Sequence, residues 1–221
     1  MKRIFITQRS IYDKSRQELV ECLDSKFSKF FGNDFYLIPV PNNTPNPQKF
    51  AEDFKCSGII LSGGNSIIET DENYSKSRHK CEKELLSYAI RTNIPVVGIC
   101  YGMQFLNMYC GGNLCEFGQH VKTEHMLKID DLNFTVNSYH QYAIFTDFLA
   151  EPLVAIGFCD DGTIEAFIHE SLPWLGIMWH PERSTHKQKL WVEMIKEIFM
   201  GNLSVTKADI VGFLKKNYES Y

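Results

Sequence analysis

"VVGICYGMQFL", Val96 to Leu106, decides the fold. An apolar run enters Cys100, and a glycine stands two positions away on either side, at Gly98 and Gly102. An ordinary buried strand has no need of those glycines. A nucleophile carried on a strand–turn–helix elbow does, because its strained backbone lets only side-chain-free neighbours come close. Pro95–Ile99 therefore reads as a fully buried strand, and Gly102–Cys110 as a helix that opens directly after the cysteine. A helix N-terminus beneath the sulfur favours the thiolate, and the backbone N–H of Tyr101 is free to point at an oxyanion. The plainer reading, a small buried cysteine at a strand end, leaves the two glycines unexplained.

Upstream of the elbow, apolar runs alternate with amphipathic ones. Arg3–Thr7, Phe35–Val40 and Ser57–Leu61 read as strands, and Lys14–Phe30, Pro47–Phe54 and Lys76–Arg91 as helices. Downstream, Met126–Ile129, Phe134–Val136, Leu153–Phe158, Ile164–His169 and Trp174–Trp179 are predicted strands, and Lys187–Met200 a closing helix. The alternation predicts an α/β fold with a mostly parallel central sheet and helices on both faces. Residues 1–221 are expected to form a single catalytic domain, with 203–221 a helical tail whose Thr206 and Asp209 make a weak capping box.

Composition narrows the function. A hydrophobic content of 44% and a net charge of −4 give no reason to expect nucleic acid or a membrane surface as partner. The apolar run in "MKRIFITQRS" is too short for a signal-peptide core, and no stretch approaches a spanning helix. The seven cysteines are odd in number and lack a C-x-x-C pair, which predicts reduced thiols in a cytoplasm. Cys110, Cys115, His120 and His125 recur every five residues, a spacing unlike that of structural zinc sites, so no metal is expected.

A thiolate nucleophile needs a base, and the base needs an orienting acid. "WLGIMWHPERS" runs a strand into His180, with Glu182 two residues on, where an extended chain would aim both the same way. Pro181 would keep the chain before it extended. "GIILSGGNS" supplies a glycine-rich turn after the third strand. It lacks the Lys-Ser/Thr of a phosphate loop, and Gly64 would reach Cys100 at the carboxyl ends of neighbouring parallel strands.

With these residues in hand, "LSGGNS", "GICYGMQFL", "VNSYHQYA", "DGTIEAF" and "GIMWHPE" resemble, in order, the landmarks of class I glutamine amidotransferase domains. The resemblance spans about Arg3 to Met200. It implies a flavodoxin-like sheet and a Cys100–His180–Glu182 triad, with an oxyanion hole from the Gly64 and Tyr101 amides. It further implies γ-glutamyl contacts from Ser66, Gln104, Ser138, Tyr139, His140 and Gln141, without a cofactor. "VNSYHQYA" and the opening "IFITQR" are similar to stand-alone γ-glutamyl hydrolases, whereas "SGGNS" and "CYGMQ" are nearer the glutaminase of GMP synthetase. The preferred expectation is a hydrolase of a small-molecule γ-glutamyl amide. The alternatives are a glutaminase that serves a separate synthase, and a non-catalytic binder on the same fold. Were the leaving group a nucleotide, Arg9, Tyr12, His79, His120 or His125 would meet it near the cleft mouth.

Overall fold

The structure, a computed structural model, describes residues 1–71, 74–183 and 189–220. Strand β1 (Arg3–Thr7) leads into a hairpin, β2 (Arg9–Asp13) and β3 (Glu18–Cys22), then a short helix α1 (Lys26–Phe31). Next come β4 (Tyr36–Val40), α2 (Pro47–Asp53), β5 (Gly58–Leu61), α3 (Lys76–Thr92), β6 (Val96–Ile99) and α4 (Tyr101–Tyr109). The second half contributes β7 (Cys115–Glu116), β8 (Val121–Ile129), β9 (Leu132–Tyr139), β10 (Tyr142–Ala143), β11 (Leu153–Cys159), β12 (Ile164–His169) and β13 (Trp174–Ile177). Helices α5 (Lys189–Met200) and α6 (Lys207–Asn217) follow.

One nine-stranded sheet runs in the order β4-β1-β5-β6-β13-β12-β11-β8-β9. Its first five strands are mutually parallel, and β12, β11, β8 and β9 extend it antiparallel. Strands β5, β6 and β13 are buried along their whole length, as strands covered on both faces must be. Two apolar clusters lie on the two sides of the sheet. One gathers α1, α5 and α6 around Trp191, Phe199 and Leu214; the other gathers α2, α3 and α4 around Phe5, Leu85 and Phe105.

The predicted helix over Lys14–Phe30 is not formed. Its place is taken by the β2–β3 hairpin and the short α1. The periodic apolar residues were misleading, because Leu19 and Val20 are exposed and pair across the hairpin with Tyr12 and Ile11. Asp13 accepts hydrogen bonds from the Ser15 amide and hydroxyl, and Gln17 takes a positive φ of 55°, which together fix the turn. Of the periodic stretch, Phe27 is buried in the core, with Leu23 and Phe30 packed against it and Phe31 just beyond. The strands predicted around Met126 and Phe134 are longer than expected and form the β8–β9 hairpin. The strand predicted to Trp179 stops at Ile177. Of the predicted closing helix, Lys187 and Gln188 lie outside the described residues. Thr206 caps α6, its hydroxyl accepting from the Asp209 amide at 3.1 Å, and Ile210 and Leu214 bury that helix against the core.

Candidate active site

The register of the parallel strands brings the landmarks together. Leu61 pairs with Gly98 and Ile99 with Ile177, so the segments leaving β5, β6 and β13 emerge side by side at the carboxyl edge of the sheet. Cys100 sits at the N-cap of α4 with φ 53° and ψ −105°, a conformation costly to any residue with a Cβ. Its amide is tied to Ile177 O at 2.8 Å. The flanking glycines permit the turn by close approach. A Cβ on Gly102 would stand 2.1 Å from Leu61 O, and one on Gly98 would stand 2.6 Å from the Gly102 carbonyl.

His180 and Glu182 meet with Nδ1 donating to Oε1 at 2.7 Å, both side chains buried. They do so differently from the sequence expectation. The extended chain has already ended, and Pro181–Arg183 is a 3-10 turn that folds Glu182 back onto the imidazole. The Cys100 sulfur stands close enough to the ring to act on its charge. Burial opposes its charge, but the neighbouring sulfur and the Glu182 carboxylate outweigh burial and raise it to about 9. Asn137 of β9 clamps the His180 backbone from both sides, its amide donating to His180 O at 3.0 Å and its carbonyl accepting from His180 N at 2.9 Å. Gly63 lies directly beneath the ring, where a Cβ would come 2.6 Å from Cε1.

The loop after β5 carries Gly64 with φ +88°. It is held by a residue that sequence reasoning missed. Arg78 of α3 is fully buried and donates Nη1 to Gly64 O at 2.6 Å and Nη2 to Ser62 O. Its Nε pairs with Glu82 at 2.8 Å, and its guanidinium lies 3.9 Å from the Tyr101 ring centroid. The carbonyls of Ser62 and Gly64 are thus held on Arg78, which fixes the loop against α3. Asn65 ties the loop to β2, exchanging hydrogen bonds with Ser10 N and O, each at 2.8 Å.

These elements enclose a cleft of about 490 Å³ lined by Arg9, Gly64, Ser66, Cys100, Tyr101, Gln104, Tyr139, His140, Gln141, His180 and Arg183, among others. A larger groove of about 690 Å³ between the segment from Asn42 into α2 and helix α3 contains neither Cys100 nor His180. Gln104 donates to Tyr142 O at 2.9 Å, and the Ser66 hydroxyl accepts from Ile68 N at 3.1 Å. Ser138 departs from the pattern. It is fully buried, its hydroxyl donates to His120 O at 2.7 Å, and it does not line the cleft.

Of the side chains expected at the cleft mouth, only Arg9 lines it. Tyr12 is exposed on the hairpin, and His79 packs edge-on against Phe105 of α4. His120 and His125 cluster with Glu165 behind the cleft wall. Arg183 is a further cation at the mouth, stacked 4.6 Å above the Tyr139 ring.

Residues 24–198 match the glutamine amidotransferase class-I family. The chain is 34% identical over 205 residues to the gamma-glutamyl-CDP-amidate hydrolase of Campylobacter jejuni, covering 88% of this chain and 99% of that protein. It is 31% identical over 153 residues to one chain of the glutamine-hydrolyzing GMP synthase of Pyrococcus furiosus, covering 65% and 74%. Among solved structures, a glutamine amidotransferase from Thermotoga maritima superposes with a TM-score of 0.59, covering 99% of this chain and 92% of that one at 15% identity. That likeness is one of fold.

Proposed function

Because this chain belongs to the class I glutamine amidotransferase family, we propose that it hydrolyses a γ-glutamyl amide through a thioester on Cys100. The observation that carries the reading is that Cys100 and the His180 ring line one cleft, with the buried Glu182 carboxylate bonded to the far side of the ring at Nδ1. The Cys100 thiolate attacks the side-chain carbonyl carbon of the γ-glutamyl group. The resulting oxyanion is met by the amides of Gly64 and Tyr101. As the carbon–nitrogen bond breaks, His180 gives its Nε2 proton to the departing amine. Water then attacks the thioester, His180 takes back a proton, and the carbon–sulfur bond breaks to release glutamate. Glu182 holds Nδ1–H throughout, so that Nε2 always faces the sulfur and the leaving group. Every step is accounted for by the protein's own groups and water.

Gln104 and the 139–141 segment would hold the glutamyl amino and carboxylate groups, and Ser66 would line the same subsite. Ser138 would act from behind, by fixing the backbone at His120. For the leaving group, the likeness to the Campylobacter jejuni protein supports a nucleotide phosphoramidate, cytidine diphosphoramidate leaving γ-glutamyl-CDP-amidate. Arg9 and Arg183 at the cleft mouth supply positive charge of the kind a diphosphate needs. Among the described residues Arg9 has no carboxylate partner; its Nε donates to Cys22 Sγ at 3.3 Å.

A second reading, a glutaminase that feeds ammonia to a separate synthase, draws on the likeness to the Pyrococcus furiosus GMP synthase chain. Glutamate release by the purified chain separates the two. Substrates are γ-glutamyl-CDP-amidate, γ-glutamyl-aminobutyrate and L-glutamine, with Cys100→Ala as control. Faster turnover of a conjugate than of glutamine, lost in the variant, supports the hydrolase. Slow glutaminase activity alone, stimulated by a synthase, overturns it.

A further inference from the structure

Behind the wall of the cleft, three histidines converge on one carboxylate. His120 ends the 3-10 turn Gly118–His120, His140 lies between β9 and β10, His125 is on β8, and Glu165 is on β12. His120, His140 and Glu165 are all more than nine-tenths buried. The outer nitrogens of two rings are committed. His120 Nε2 lies 2.8 Å from Asp161 Oδ2, and His140 Nδ1 lies 2.9 Å from Tyr142 O. A carboxylate and a carbonyl only accept, so both of those nitrogens carry the proton.

The inner nitrogens of neutral rings therefore both present lone pairs. His120 Nδ1 and His140 Nε2 stand 3.2 Å apart, and each is 3.6 Å from Glu165 Oε1. With both rings neutral, three acceptors face one another in a buried space, an arrangement that calls for a positive charge at its centre, either a proton on His120 or a cation. Bonds of about 2.0–2.1 Å, as zinc makes to nitrogen and oxygen, give a tetrahedral edge of about 3.3–3.4 Å. The observed triangle brackets that edge. The second contacts match what metal-bound imidazoles require: one ring backed by a carboxylate, the other by a backbone carbonyl.

The geometry points to a divalent transition-metal site, Zn²⁺ or a close equivalent, held by His120 Nδ1, His140 Nε2 and Glu165 Oε1. The second carboxylate oxygen of Glu165 faces His125 Nε2 at 3.2 Å, and His125 and Cys159 stand close to His120. The ion fastens three segments that are far apart in sequence, the 118–120 turn, the 139–142 loop and β12. Through Tyr142 O, which also accepts from Gln104, it stiffens the cleft wall without touching the reacting atoms. The site does not depend on the identity of the leaving group.

The test uses the full chain carrying Cys100→Ala, so that the cleft thiol cannot bind metal. The protein is stripped with chelator and titrated with Zn²⁺ against a chromophoric competitor, and the melting temperature is followed. About one Zn²⁺ per chain should bind and raise the melting temperature, and His120→Asn and Glu165→Gln should each weaken binding at least tenfold. His169→Gln, outside the cluster, should bind as the parent does. Failure to bind Zn²⁺ would mean that a proton on His120 supplies the charge, and would overturn the site. Undiminished binding by either cluster variant would overturn it equally. If those variants fail to fold, the absorption spectrum of the Co²⁺-loaded parent decides: nitrogen and oxygen ligation is expected, and thiolate-to-cobalt charge transfer contradicts it.

Discussion

Arg78→Met should break the oxyanion loop and most of the stability with it. The guanidinium and the Glu82 carboxylate are both fully buried, joined at 2.8 Å, and Glu82 also accepts from Thr7 Oγ1 at 2.6 Å. Removing one partner of such a pair leaves an uncompensated buried charge, at a cost of about 3–5 kcal/mol. The stranded carbonyls of Ser62 and Gly64 add about 1 kcal/mol each. The sum, about 5–7 kcal/mol, is comparable to the whole stability of many domains. The informative protein is therefore Arg78→Met combined with Glu82→Leu, which leaves no buried charge and should recover most of the loss. Urea unfolding followed by tryptophan fluorescence reads the stability, and glutamate release reads the activity. The double variant should fold yet lose about 10²–10³ in kcat, because nothing then fixes the loop against α3. A single variant within about 1 kcal/mol of the parent, or a double variant with parental kcat, would refute this account of the loop.

Other substitutions probe the remaining links. Gly63→Ala, whose Cβ would meet the His180 ring at 2.6 Å, should lower kcat at least tenfold with little change in melting temperature; unchanged kcat would show that the ring can move aside. His180 stands at about 9 in the fold against 6.5 as its ordinary value, so the folded state favours the protonated ring. Its stabilising contribution is complete below about pH 6.5 and is lost as pH rises through about 9. The kcat/KM profile should fall over that same alkaline limb, and a flat profile to pH 10 would contradict the assignment. Leu214→Ala should cost about 2–5 kcal/mol while leaving kcat unchanged, since α6 is docked on the side of the sheet away from α4; a tail that served only as a linker would cost nothing.

What the sequence disclosed was local. Cys100 with its glycines, and His180 with Glu182, stand within a few residues of one another, so turn chemistry and spacing suffice to pair them. The hairpin at Arg9–Cys22 was hidden because Leu19 and Val20 imitate a helix face while being exposed. The roles of Arg78 and Asn137 were not legible, although Glu82 stands four residues after Arg78 and Asn137 lies within "VNSYHQYA". What each grips at the site is backbone, of Ser62 and Gly64 for Arg78 and of His180 for Asn137, and backbone partners leave no trace in a pattern of side chains. The histidine cluster shows the same limit from the other side. His120 and His125 drew notice for a regular spacing with Cys110 and Cys115, yet the residues that join them, His140 and Glu165, arrive only when β9 and β12 are folded into place.

The central claim is an acyl group on one sulfur, and a mass measurement tests it directly. His180→Asn protein, which keeps the thiol but lacks the base for the second half-reaction, is incubated with a γ-glutamyl substrate, quenched in acid and digested. A γ-glutamyl increment on the peptide containing Cys100, absent from Cys100→Ser protein treated alike, is the predicted result. Glutamate release by Cys100→Ala protein at the parental rate, or the increment on any other residue, would contradict it.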